Sequence, residues 1–143
     1  MGLELEPGKR TCPNHAQVTC LLDTHFLIWI TSNRKRLRRF PWLSRYEPWT
    51  LSAASFLEIQ LLTESGRTES QMPQLADAIL SDARFIVDEV PYVTLVLKSL
   101  EIGWTRDPFD RLIAAHSLAR RVPLCSVDEV VVKNHKLLVP ELR

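Results

Sequence analysis

Val18-Thr19-Cys20-Leu21-Leu22-Asp23-Thr24-His25-Phe26-Leu27-Ile28-Trp29 is the stretch whose reading decides the fold. Its opening residues form a short β-favouring apolar run, which predicts a strand buried on both faces. Beyond Asp23, residues 25–30 read as a short helix carrying Phe26, Leu27 and Trp29. A carboxyl group inside so apolar a stretch needs a partner, because burying an unpaired charge is costly. A strand that ends on an acid and passes straight into a helix is therefore the first unit of the chain.

Working outward, the alternation recurs. Residues 49–53 read as a second strand and 55–63 as a helix. Residues 73–83 form an amphipathic pattern with Leu75, Ala76, Ile79 and Leu80 at helical spacing. Residues 85–87 suggest a third strand. The stretch 91–100 reads as helical although Val93, Thr94 and Val96 lower its propensity. The clearest helix spans 107–121, residues 123–127 follow as a strand, and 137–139 suggest a last one. The basic run around Arg36 is expected to begin a further helix that Pro41 stops. Short strands alternating with helices imply an α/β fold with a central, mostly parallel sheet covered on both faces. Sites in such folds gather at the carboxyl ends of the strands.

The bulk composition narrows the classes. A chain of 143 residues, 45% hydrophobic and 24% charged, suits one compact domain. A formal net charge of +1 argues against general coating of nucleic acid, although Arg34, Lys35, Arg36, Arg38 and Arg39 are concentrated in one place. Cys12, Cys20 and Cys125 do not form a disulfide framework and fit a reducing, cytoplasmic setting. Cys12-x-x-His15 has a zinc-compatible spacing but no second ligand pair. No apolar run is long enough to span a bilayer, the best being broken by Asp23 and His25. Residues 1–17 are polar, contain Pro7, Gly8, Pro13 and Asn14, and lack the apolar core of a secretory signal. They are expected to be a poorly ordered extension to a domain over 18–143. One hypothesis is that translation begins at Val18, which an intact mass including residues 1–17 would reject.

Acids stand where the strands give way to helices. Asp23 closes the first strand, Glu58 lies early in the helix after the second, and Asp128 closes a later strand. Asp110 is in the first turn of the clearest helix. Clustered carboxylates repel unless a cation neutralises them. Magnesium and manganese prefer such oxygen ligands. Each acid also has a local explanation. Ser55-x-x-Glu58 spells a capping box. Asp107-Pro108 is an N-cap followed by proline at the first helical position, and Asp110 would complement the helix dipole. Asp23 would cap the helix at Thr24, and Asp128 would start a turn.

Taken in order, four motifs say more. They are Leu21-Leu22-Asp23-Thr24-His25-x-Leu27-x-Trp29, Ser52-Ala53-Ala54-Ser55-x-x-Glu58-Ile59, Arg106-Asp107-Pro108-Phe109-Asp110-Arg111-Leu112-Ile113-Ala114-Ala115 and Cys125-Ser126-Val127-Asp128. From about Val18 to the C-terminus the chain resembles the PIN-domain family, and within it the VapC-type toxins of bacterial toxin–antitoxin pairs. The resemblance implies a three-layer α/β/α domain whose acids bind Mg²⁺ or Mn²⁺ and hydrolyse RNA phosphodiesters by a metal-activated water. Residue by residue, Asp23, Glu58 and Asp110 match the family's three most typical acids, and Asp128 matches a fourth. Asp107 matches an acid of the Asp-Pro-Phe-Asp-Arg version of the motif, and ranks below Asp110 because capping suffices to explain it. Thr24 and Ser126 match polar positions that orient a carboxylate or a metal-bound water. Thr105 stands where the subfamily often has histidine, and Val127 where a polar residue is common.

The resemblance further implies an RNA substrate, a homodimer and a cognate VapB-type antitoxin whose tail lies across the site. Arg106 and Arg111 flank the acids and are candidates for phosphate contact. The basic group from Arg34 to Arg39 would grip RNA or face an acidic partner, or is a solvated helix face. Trp42 and Trp104 would stack on bases or, more commonly for tryptophan, pack in a core or interface. His25 reads as structural or as a support to the acids, and His116 as a packed core residue. The alternatives are a PIN ribonuclease of RNA processing or decay, and an inactive PIN module that only binds RNA or protein.

Overall fold

The computed structural model describes residues 19–143. The expected extension over 1–17, the Cys12/His15 pair and Val18 lie outside the described residues. Four strands, β1 (Leu21–Leu22), β2 (Trp49–Ser52), β3 (Phe85–Asp88) and β4 (Leu124–Cys125), form one sheet in the order β3-β2-β1-β4. Every pairing is parallel. The connections are α1 (Thr24–Ser32), α2 (Ala54–Glu64), α3 (Gln74–Leu80), α4 (Tyr92–Ser99) and α5 (Pro108–Arg120), with α6 (Glu129–Asn134) after β4.

Side-chain alternation along β1 and β4 splits the core in two. Leu22 and Cys125 join a cluster with Phe26 and Leu27 of α1, Ile59 of α2 and Ile79 of α3. Leu21 and Leu124 face the other way, onto Ile113 of α5 and Val131 of α6. A two-sided sheet buried by helices is what makes these strands apolar without alternation. α4 and α2 both pack against α5, which fixes the helix that carries Asp110.

The sheet is wholly parallel. Residues 137–139 supply only one bridge, Leu138 beside Leu124, in place of a strand. The basic run forms no α-helix: Arg34–Arg39 and Pro41–Tyr46 are successive 3-10 helices. The first has no buried residue to anchor a longer helix. Among the described residues α6 is the one α-helix the sequence reading misses, because Val130-Val131-Val132 is β-branched and reads as poor helix. Tertiary packing of Val131 and an Asp128 cap hold it. α4 forms despite Val93, Thr94 and Val96, with Leu95 buried beneath it.

The register brings Leu22 level with Cys125, and Ser52 level with Asp88. The strand ends therefore share one edge of the sheet. Chain order reverses between β2 and β4 around β1, which opens a crevice beside Asp23.

Candidate active site

Asp23 leaves β1 in an extended conformation and caps α1, accepting from the His25 N–H at 3.4 Å. Its other oxygen accepts from the Ser126 hydroxyl at 2.5 Å, and Ser126 is itself fully buried after β4. The Ser126 oxygen also accepts the Asp128 N–H at 3.2 Å, so one side chain ties the ends of β1 and β4 together. His25 approaches Asp23 to 3.9 Å from a largely exposed position.

Glu58 is placed differently from the capping-box reading. α2 starts at Ala54 with Ala53 as its cap residue, and Ser52 rather than Ser55 accepts the Ala54 N–H, at 3.2 Å. Ser55 is buried inside the helix, and Glu58 meets the first residue of α1. Thr24, fully buried, gives its single hydroxyl proton to Glu58 at 2.5 Å, with Ser55 Oγ 3.0 Å from the same hydroxyl oxygen. Thr24 and Ser126 thus hold one carboxylate each.

Asp107 and Asp128 are both helix caps. Asp107 Oδ1 accepts from the N–H groups of Phe109 and Asp110, at 2.8 and 3.2 Å. Asp128 Oδ1 accepts from those of Val130 and Val131, at 3.0 and 3.1 Å. Each commits one oxygen to its helix and keeps the other. Asp110, in the first turn of α5, has no such partner among the described residues. Glu58, Asp107, Asp110 and Asp128 line one groove of about 760 Å³. Asp23 is buried and does not line it, but lies close enough to Asp110 to act on its charge.

The charges feel one another. The Asp110 carboxyl is pushed up to about 7, by burial first and then by Asp107, Asp23, Asp128 and Glu58. Burial also raises Glu58, with Asp23 and Asp107 adding to it and the Thr24 hydrogen bond opposing. Asp23 is raised by burial, against the Ser126 hydrogen bond that lowers it. Among the described residues, no three His, Cys, Asp or Glu side chains are gathered tightly enough to cage an ion by themselves. The donor set is nonetheless all carboxylate oxygen, which suits Mg²⁺ or Mn²⁺. Magnesium is commonly held by one or two carboxylates and its own waters, so a closed cage is not required.

Arg106 and Arg111 do not line this groove. Arg106 is exposed, and Arg111 donates from Nε to the Thr105 carbonyl at 2.7 Å. The groove's cations are Arg36 and Arg67 instead, and its tryptophan is Trp29. Trp42 packs edge-on to Phe40 and Tyr46, and Trp104 packs near His135 against the second core cluster. A signal for the groove was present on α1, where His25, Trp29 and Ser32 share a face at helical spacing. His116 is buried as its apolar face implies, with Nε2 2.8 Å from Asp88. Asp88 is held down at about 2 by that hydrogen bond and by Arg120, which leaves this strand-end acid outside the cluster.

The fold and these acids define the class. The PIN-domain family profile matches residues 20–136, and the chain belongs to that family. By structure it is similar to a toxin–antitoxin complex from Klebsiella pneumoniae, with a TM-score of 0.57 at 16% sequence identity, over 85% of this chain and 96% of the other. At that identity the likeness speaks for the fold. No curated protein matches the chain by sequence. No helix among the described residues is long and apolar enough to cross a membrane.

Proposed function

We propose that this PIN-domain protein is a Mg²⁺- or Mn²⁺-dependent endoribonuclease, the toxin of a VapBC-type pair, held in check in the cytoplasm by a cognate antitoxin. The observation that carries the reading is the coupling of Asp23, Glu58, Asp107, Asp110 and Asp128 around one groove, which raises Asp110 to about 7. Such repulsion disfavours the ionised state until a cation arrives. A bound divalent cation would lower the pKa of a water and stabilise charge on the phosphate. The protein's own part is positional. Ser126 fixes Asp23 and Thr24 fixes Glu58, so these two carboxylates meet a ligand without searching rotamers. The likeness in fold to a chain of a toxin–antitoxin complex supports an antitoxin partner.

The test is chelation. Purified protein should cut single-stranded RNA when Mg²⁺ or Mn²⁺ is present and stop when EDTA is added; cutting that persists under EDTA rejects the mechanism.

We also infer a homodimer, on a specific feature. Tyr92, Val93 and Leu97 of α4, Leu100 after it and Leu57 of α2 are all more than half exposed. Leu57 and Tyr92 flank a common cleft of about 630 Å³. Exposed apolar side chains grouped like this mark association surfaces. Leu97→Glu should sediment as a monomer where the wild type sediments as a dimer. A monomeric wild type would end the inference.

A further inference from the structure

The acidic end of the groove explains cation binding but not how an anionic polymer enters. A floor of Glu58, Asp107, Asp110 and Asp128 repels a phosphodiester chain, and positive side chains are needed nearby to offset that. Two are built into the walls. Arg36 comes from the 3-10 helix Arg34–Arg39, and Arg67 from the segment that follows α2. Neither makes an ion pair with an acid among the described residues. Four other basic side chains share the turn with Arg36, yet Arg36 alone of that run lines the groove.

Beside Arg36 lies an aromatic plate. The guanidinium carbon of Arg36 is 5.2 Å from the Trp29 ring centroid. The indole is braced by Phe40, parallel to it within 4° at 6.1 Å, and by Phe26, edge-on at 5.1 Å. It is thus a partly buried ring on the groove wall, held by two phenylalanines, and Ser32 and Thr68 share the lining. Unpaired bases stack on aromatic rings and on arginine planes, and single-stranded sites combine such plates with cations that track the backbone.

We propose that Trp29, Arg36 and Arg67 form a nucleotide subsite beside the acidic cluster, which receives an unpaired nucleotide of single-stranded RNA. The base stacks at Trp29 and Arg36, and an adjoining phosphate meets Arg67. This rests on the ribonuclease reading and deepens it, by naming which strand form the site accepts and what holds it. An acidic peptide would also satisfy two arginines, but it makes no use of the braced indole.

Binding separates this from cleavage. In an Asp110→Asn background with Mg²⁺ present, a fluorescein-labelled single-stranded RNA of mixed sequence is titrated by anisotropy. Arg36→Ala and Arg67→Ala should each weaken binding on the order of tenfold and reduce the salt slope by about 0.7. Trp29→Leu should weaken binding on the order of tenfold and abolish RNA-dependent quenching of tryptophan fluorescence. Arg36→Lys and Trp29→Phe should fall between these and the parent, which guards against misfolding as the cause. Arg39→Ala, in the same turn but off the groove, should change binding less than about twofold. Equal losses from Arg39→Ala and Arg36→Ala would overturn the subsite in favour of diffuse attraction. Unchanged RNA binding, with loss of binding only to a protein partner, would overturn it too. RNA bound in this pattern but left intact by the wild type would sustain the subsite and reject the ribonuclease. RNA cleaved by the wild type but bound normally by the variants would do the reverse.

Discussion

Asp110→Asn is expected to lower RNA cleavage by on the order of 10³-fold while making the cation-free protein more stable at neutral pH. The two effects come from one carboxyl. It is pushed up to about 7, by burial first and then by four surrounding carboxylates. Ionised and without a divalent cation, it adds to the repulsion among these carboxylates. Asparagine keeps the volume and removes the charge, so the repulsion falls by on the order of 1–2 kcal/mol once the partial exposure of the group is allowed for. The same charge is what a divalent ion would bind, and losing it removes several kcal/mol of transition-state stabilisation. Cleavage in an RNA gel assay and the urea midpoint without metal measure the two halves. Full activity in the variant would remove Asp110 from the mechanism; an unfolded variant would contradict the stability claim.

The second large effect is a pH dependence that Mg²⁺ should abolish. Asp110 is pushed up to about 7 in the folded chain, against an ordinary carboxyl value of 3.8. Across that interval the folded state holds a proton that the unfolded state has released. Stability therefore falls as pH rises from about 4 to about 7, and levels off above that. Glu58 and Asp23, also raised, act in the same direction. His135 opposes them, since burial lowers its pKa and acid favours its unfolded, protonated form. Comparison of wild type with Asp110→Asn cancels His135 and isolates the carboxyl. The wild type should gain on the variant as pH drops from about 7.5 to about 5, and excess Mg²⁺ should flatten the difference. Parallel curves for the two proteins, with or without Mg²⁺, would refute the coupling.

Much of the fold was legible because the apolar runs are short, unalternating and separated by helical patterns. Such runs have few homes other than a parallel sheet. What escaped had a physical reason in each case. α6 is a valine run that only an aspartate cap and a buried Val131 turn into a helix. The Arg34–Arg39 segment lacks apolar spacing, and its tight 3-10 turn follows from its neighbours. At the site, the acids were visible as strand-end and helix-start residues, but their local duties were not all as the motifs suggested. Ser55-x-x-Glu58 has the letters of a capping box, yet the helix begins two residues early and both side chains meet Thr24. Conversely, Asp88 ends a strand as Asp23 does, and only the folded chain reveals His116 and Arg120 beside it. Arg36, Arg67 and Trp29 were beyond sequence reasoning as a group, because three separate elements bring them to one groove.

Asp107 and Asp128 each cap a helix with one oxygen and also line the groove. That division has a consequence for which side chains these positions tolerate. Serine, threonine and asparagine cap a helix about as well as aspartate, but carry no charge. Glutamate carries the charge, but its extra methylene spoils the short reach a cap requires. Of the twenty side chains, aspartate is the one that performs both tasks at these positions. Asparagine there would leave the architecture standing while silencing one electrostatic contribution, so the scaffold and the chemistry can be taken apart one atom at a time.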